Sequence, residues 1–498
     1  RLVAYVVTYV EQHREEPMAL EQELPLILAA LELAPRVNCL SEFVQCVSAI
    51  FYSLRARGFF SLTERLLWQA YEIDKHRHVR QHLMLWYQLG SILRERGAYE
   101  RADALLEEGI VLARQQEDVS SLAFLLSRRG TVAADRCEYV LAETCYREAL
   151  ALARQHNNLA CITLTLNNLA WVLDVRGDFV QAEAGLQESL ALARQERKNS
   201  GIALANLGCI LGRQGKFLEA EVHLQEALTL ARAAKNDLLL SAFHLYLGWT
   251  LLRQDEHTRA KQNLQEALSL AQRIGRLKII ARAFTLLALL ALKEGDLEQV
   301  DALLQEGLTP FRSIGNHADM CLYLMVKGWM QSQQAEFAQA RDTLQEGLAL
   351  ARRIAHVEYI PTLLFLLGSV TLNLGELELA YALLQEGLEL TEQNEGICWL
   401  KGMGLNELGR YYLLRGKYQQ ATASYQEILT SPSSNYRSLG GLAHEGLART
   451  AAEQGEIELA TEHAYTALHI FEEIGHGRAH AVRGWLSLLL ALKVERDV

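Results

Sequence analysis

Three groupings of side chains in this sequence have the types and spacing for chemistry. His78 and His82 stand four apart with His76 beside them, and His476 and His480 share that spacing. Two imidazoles at i, i+4 fall on one helix face, as in a zinc-binding helix. No carboxylate or cysteine at ligand spacing completes either set, and Arg77 and Arg80 crowd the first with positive charge; no metal is expected. The second grouping is Gly-Lys: Gly215-Lys216-Phe217 and Gly416-Lys417-Tyr418 lack the earlier glycine and the following Ser or Thr that a phosphate cradle needs. There is no HExxH, and no Ser, His and Asp fall into a triad pattern. These residues indicate no enzyme, no cofactor and no ATP binding by this chain alone. The third grouping is aromatic: Trp171, Trp249 and Trp329 recur 78 and 80 residues apart. Rigid aromatics at a regular spacing suit a surface that grips a partner, and they equally suit a core between adjacent helices.

The elements that position these tryptophans repeat every 40 residues from about Gly58 to Gly455. Alanine recurs at Ala102, Ala142, Ala182, Ala220, Ala260, Ala340, Ala380, Ala421 and Ala460, with Val300 in the one gap. Twelve residues before each lies a small residue, from Gly90 to Ala448, and seven after lies another, from Gly109 to Ala467, broken only by Ile428. Between them stands a glycine stop followed by a bulky residue, as in Gly177-Asp178-Phe179. Small residues mark places where two helix backbones cross closely, so Gly328 is expected to face Ala340. So strict a period indicates an all-α solenoid, in which each repeat buries its apolar face only against its neighbours. Partner recognition is then a better first reading than catalysis.

At 498 residues and net charge −11, a nucleic-acid surface is disfavoured, because phosphate neutralisation needs clustered Lys and Arg. Much of the acidity is one glutamate per repeat, from Glu108 and Glu148 to Glu386 and Glu427, expected to form a solvated outer ridge. No apolar run reaches the roughly 18 residues a membrane span requires, and Leu2 to Val10 is too short and lacks a cleavage site, so no signal peptide is read. Eight cysteines with no CxxC pair suit reduced thiols in the cytoplasm. The chain opens at Arg1 rather than methionine, as a piece of a longer protein would.

Small at position 8, aromatic at 17, Ala at 20 and small at 27 resembles the tetratricopeptide (TPR) pattern over about 80–475, stretched to 40 residues from the family's usual 34. The resemblance implies a right-handed superhelix of about 10–11 helix pairs: ten repeats over 80–475, a degenerate first one over 41–79 with Phe51 where the small residue should be, and a capping helix in 476–498. Such an array should pass one full superhelical turn and enclose an axial channel. In TPR arrays the first helix of each pair lines the concave wall. Position 9 then offers Trp171, Trp249 and Trp329; position 5 offers Tyr87, Asn167, Met325, Phe365 and Asn406; position 6 offers Asn168, Asn206 and Tyr246. Aromatics with amides suit an apolar or helical partner whose backbone polar groups need partners. The Lys and Asn clamp of chaperone-tail TPRs for a terminal carboxylate is missing. Two places break the rhythm. Pro310 should shorten or kink its helix, and Ser431-Pro432-Ser433-Ser434-Asn435 reads as a surface loop.

Residues 1–40 fall outside the repeat. Their Tyr-containing helix, followed by Leu20-Glu21-Gln22-Glu23-Leu24 and Ile27-Leu28-Ala29-Ala30-Leu31, resembles the adaptor joining the ATPase module of STAND (NB-ARC-type) signal-transduction proteins to their TPR sensor array. Leu24, Ile27, Leu28 and Leu31 form one apolar stripe, expected to dock on the degenerate repeat. The resemblance implies a sensor that holds an upstream ATPase inactive until a protein, peptide or small-molecule inducer enters the groove. The alternatives are a free-standing adaptor between two proteins and a peptide-pheromone receptor in which Asn168 and Asn206 clamp an extended backbone.

Overall fold

A repeat turns where its first helix meets a residue at positive φ. Leu159–Arg176 stops at Gly177, φ 91°, and Phe179 opens the return helix Phe179–Gln195. Most repeats use glycine here because left-handed backbone costs it nothing. Cys137, Asp255 and Ala335 take the same position at φ 62°, 59° and 61°, a strained choice for residues with a Cβ. Between repeats an Asn or Asp side chain accepts the backbone N–H three residues on: Asp118 from Ser121 and Asn158 from Cys161, and likewise Asn236 from Leu239 and Asn316 from Asp319. Each such bond caps the next first helix.

The computed structural model describes residues 1–13, 17–76, 83–195, 200–314, 316–394 and 397–497. Three helices, α1 (Leu2–Gln12), α2 (Pro17–Gln22) and α3 (Leu24–Leu33), precede the first pair, α4 (Leu40–Ala56) and α5 (Phe60–His76). Ten more pairs follow among the described residues, ending with Arg437–Glu453 and Ile457–Glu473, and then a last helix, Arg478–Asp497. The all-helical solenoid read from the 40-residue spacing is therefore present. No described helix is long and apolar enough to cross a membrane.

Packing within pairs corrects the expected crossing. A methyl on Gly328 would meet Leu344 at 2.6 Å, and one on Gly368 would meet Leu384 at 2.6 Å. The first-helix glycine thus receives the leucine one turn beyond Ala340, while Ala340 itself is fully buried. Pro310 does not shorten its helix, which runs from Leu297 to Ile314. The Ser431–Asn435 segment is less superficial than expected: a 3-10 turn spans Pro432–Asn435, Ser433 is wholly buried, and its hydroxyl reaches the Trp399 carbonyl at 3.4 Å. At the N-terminus Ile27 and Leu31 are buried while Leu24 and Leu28 are partly covered. α1 provides the main seat on α4, and α3 packs against α1.

The ribbon of repeats coils tightly enough to touch itself. Asn316 Nδ2 donates to the Asp135 carbonyl at 2.8 Å across 181 residues, and Ser438 N donates to Asp255 Oδ2 at 2.8 Å across 183. Val357 N donates to the Val175 carbonyl at 3.2 Å and Gly477 N to the Lys293 carbonyl at 2.8 Å. In each case the turn inside one repeat meets the start of a first helix between four and five repeats later. The solenoid exceeds a full superhelical turn, and its successive turns share an edge.

Candidate partner-binding wall

The first helices present one face to the second helices, and that face is closed. Of the eleven residues assigned to the wall from the sequence, four lie in packed core. Tyr87 is buried, its hydroxyl accepting from Arg128 Nη2 while the guanidinium lies 4.4 Å from its ring. Asn167 is buried, its Oδ1 accepting from Ser189 Oγ at 3.2 Å. Phe365 is 1% exposed, wedged where a methyl on Gly387 would come within 2.4 Å of its ring. Asn406 is buried and donates to Glu407 Oε1 at 2.9 Å. Asn167 and Phe365 turn toward the second helix of their own repeat and Tyr87 toward the next first helix, whereas Met325, also at position 5, stays half-buried.

The other seven are half-buried and fall on three successive first helices and, one repeat skipped, a fourth: Asn168 and Trp171, Asn206, Tyr246 and Trp249, then Met325 and Trp329. Asn168 Nδ2 donates to Thr131 Oγ1 at 3.3 Å, and Asn206 Nδ2 donates to the Asn167 carbonyl at 3.4 Å, each reaching back one repeat. Trp171 meets Tyr139 edge-on, and Met325 and Trp329 lean on buried clusters. The tryptophans thus have an apolar side in the core and a side turned away from it.

Cations cover part of that second side, and some come from the neighbouring turn. Lys278 Nζ stands 6.0 Å from the Trp171 ring. The Trp249 ring lies between Arg253 at 5.3 Å and Arg282 at 5.1 Å, and Arg253 also lies 5.0 Å from Trp399. Trp399 stacks on Tyr436, which meets Phe217 edge-on. A continuous stack of rings and guanidinium groups therefore joins two turns of the superhelix.

Carboxylates hold these cations. Glu358, with a side chain 6% exposed, pairs with Arg253 and with Arg213 at 3.5 Å. Burial pushes its carboxyl up, but the two guanidinium groups outweigh burial and hold it below the usual range. Asp135 takes Lys278 at 2.5 Å and Arg94 at 2.8 Å with the same result. Asp174 differs: burial raises its pKa in spite of Arg213 at 3.1 Å. His356, stacked on Tyr359, is kept neutral chiefly by burial, its pKa lowered to about 3. None of these residues was singled out from the sequence. The one signal that could have led to them is Asp255, a carboxylate at a position where most repeats carry glycine.

His76, His78 and His82 lie outside the residues whose side chains are described, and His476 is partly covered while His480 is exposed. Among the described residues no cluster of three or more His, Cys, Asp or Glu could hold a metal ion.

Models of the tetratricopeptide repeat match residues 85–120, 159–233 and 199–273. No curated protein matches the chain in sequence. Among solved structures, a Rap protein complexed with competence and sporulation factor is similar, at 13% identity and a TM-score of 0.56, over 70% of this chain and 98% of that one. The likeness is one of fold. The APC/C hetero-tetramer Cut9–Hcn1 aligns over 93% of this chain and 94% of that one at 16% identity, with a TM-score of 0.38, too low for an architectural comparison. With the helix pairs in place and three stretches matched by repeat models, the chain is a superhelical solenoid that carries tetratricopeptide repeats.

Proposed function

We propose that the array is a binding scaffold for a protein or peptide, and that an extended peptide lies along the half-buried residues of the first helices. The observation that carries this reading is the state of Asn168 and Asn206. Each commits its amide nitrogen to the preceding repeat, and no hydrogen bond occupies its side-chain oxygen among the described residues. Two oriented acceptors beside Trp171 suit the backbone N–H groups of an extended chain, and the tryptophans supply apolar area. The similar Rap structure, solved with competence and sporulation factor bound, supports a ligand of this kind. The test is a peptide selection against residues 1–498, followed by titration into N168A/N206A. Affinity should fall at least about tenfold while the melting temperature stays near the native value, as expected for loss of two hydrogen bonds at about 1 kcal/mol each. Selected peptides that bind the double variant as tightly as the native chain would remove these residues from the site.

A finer reading makes the array the sensor of a STAND-type ATPase. Its support is the resemblance of residues 1–35 to that family's adaptor, together with α1 seated on α4. A phosphate-binding loop encoded a few hundred residues upstream of Arg1 would favour it; a start codon immediately before Arg1 would exclude it.

A further inference from the structure

The shared edge of the two turns is closed at every level of contact. Sterically, there is no space for a methyl at three of its glycines. A Cβ on Gly58 would lie 2.4 Å from the Ile274 Cβ, one on Gly177 would lie 2.8 Å from Asn394 Oδ1, and one on Gly477 would lie 2.8 Å from both the Glu294 carbonyl oxygen and the Gly295 Cα. Among the described residues, backbone groups on both sides are joined across the edge, Asn316 and Ser438 each through one side chain and Val357 and Gly477 backbone to backbone. Ion pairs run along it: Arg57 to Asp237 at 3.7 Å, Glu95 to Arg276 at 3.6 Å, Asp135 to Lys278, and Arg253 to Glu358. Asp255 accepts the strained turn conformation and lends its carboxylate both to Lys293, at 2.6 Å, and to Ser438 N in the next turn.

This edge differs in kind from the interfaces inside the ribbon. Each repeat buries apolar side chains against its neighbours along the ribbon, and across the edge single apolar side chains join in: Phe179 and Phe217 enter a buried cluster with Ile397, Leu400 and Tyr436, and Leu238 and Ile274 enter that of the first repeats. Beside these apolar contacts the edge holds charges and backbone polar groups that occur once each, and water can serve them when the turns part. It also closes off the sideward approach to Trp171, Trp249 and Trp399, whose rings Lys278 and Arg253 cover.

We propose that the seam is a latch: the array exchanges between a closed spiral and a form in which successive turns have parted along this edge, and a partner reaches the inner wall through the parted seam. The gating half rests on the binding reading above; the latch does not. Polar interfaces between rigid bodies that fit in one arrangement and separate as a unit are the usual substrate of hinge and shear transitions.

Spin labels at the exposed Gln181 and Arg353 flank the Val175–Val357 contact, and labels at Gln299 and His480 flank the Lys293–Gly477 contact. Pulsed distance measurements at low salt should give one short distance for each pair. Glu358→Gln should shift the first pair to longer and broader distances. Gly477→Ala should lengthen the second pair, while Gly484→Ala, which faces open space, should leave it unchanged. Helix content by circular dichroism should stay native in all variants. If Glu358→Gln and Gly477→Ala keep native distances, or if both lose their helices, the latch is wrong. Gating is then read from a selected peptide's association rate, which should rise in Gly477→Ala. An unchanged rate in a variant whose seam has parted would overturn the gate. Failure to find any ligand would sink the binding reading alone, because the distances need none.

Discussion

Ion pairs tie neighbouring elements together on the outside of the ribbon and again along the seam, and the two sets are built differently. Outside, Arg114 reaches Glu148 at 2.9 Å, Arg154 reaches Glu188 at 2.7 Å, Arg194 reaches Glu226 at 3.9 Å, and Arg352 reaches Glu386, each one repeat onward. Four of the glutamates expected to form a solvated ridge, Glu148, Glu188, Glu226 and Glu386, are therefore partners of the preceding second helix. Their side chains stay more than 40% exposed, and exposed pairs of this kind contribute about 0.2–1 kcal/mol each. On the seam, Glu358 and Asp255 have almost no exposure, and each serves two partners. A buried pair adds little over an apolar contact, yet removing one member strands the other. The comparison teaches that repetition here marks what is weak and replaceable, while the strongest dependence falls on residues that occur once.

The largest expected difference is in pH response. His257 and His356 are buried at the seam. His257 faces Lys293, Asp255 and Glu294, and His356 faces Glu358, Arg213, Arg253 and Arg282. Burial first, then the nearby cations, lowers their pKa values to about 4 and about 3. The unfolded chain takes up a proton at each below about pH 6.5 and the folded chain does not, so stability falls as pH drops from about 6.5 toward 4. Each histidine contributes a slope of up to about 1.4 kcal/mol per pH unit, and denaturant midpoints at pH 7.5, 6 and 5 should report it. Replacing both by Gln should reduce the slope of that limb, with His476, lowered to about 4 chiefly by burial, sustaining part of it; an unaltered limb would place the acid sensitivity elsewhere.

Glu358→Ala leaves Arg213 and Arg253 without their shared carboxylate and should cost about 3–5 kcal/mol in equilibrium unfolding. A loss no greater than that of an outer variant would erase the distinction drawn above. Ala340→Leu, inside the ribbon, overpacks a fully buried site and should cost about 1–3 kcal/mol, with no change in cross-seam distances. Trp249→Ala removes a half-buried ring between two guanidinium groups and should cost about 2 kcal/mol, less than a fully buried aromatic, because only part of the ring contributes to the core. The smallest effect belongs to Glu188→Ala, at most about 1 kcal/mol and reduced further by salt. A calorimetric melt of each variant at two salt concentrations would rank them.

The 40-residue spacing of small residues and turn glycines made the helix pairs and their order legible, because those features act between neighbours in the chain. Side-chain direction was legible in part. Asn168, Trp171, Asn206 and Trp249 are half-exposed as position 6 and 9 residues, whereas Tyr87, Asn167, Phe365 and Asn406 at position 5 are buried. A rotation of a fraction of a helical turn separates the two groups, and spacing alone does not resolve it. The glycine at 328 was read as a crossing point toward Ala340, and the side chain that fills the space above it, Leu344 one turn further on, was not legible from the spacing. The seam left almost no trace. Its offset of 181–183 residues is not a multiple of 40, so a turn inside one repeat meets a loop between two others, and no position pairs with its own equivalent. Only the departures from the repeat, Asp255 foremost, hint at it.

That offset also bears on how the protein is made. A chain stabilised only by its neighbours can complete each unit as it leaves the ribosome. Here the turn at Asp135 finds Asn316 only after a further 181 residues have been synthesised, roughly ten to thirty-five seconds later at 5–20 residues per second. Through that interval the edge of the first half lacks its partner, with the Asp135 and Val175 carbonyls left to water. The early repeats must therefore be self-sufficient without it, and the spiral closes stepwise as each later repeat reaches the edge it meets.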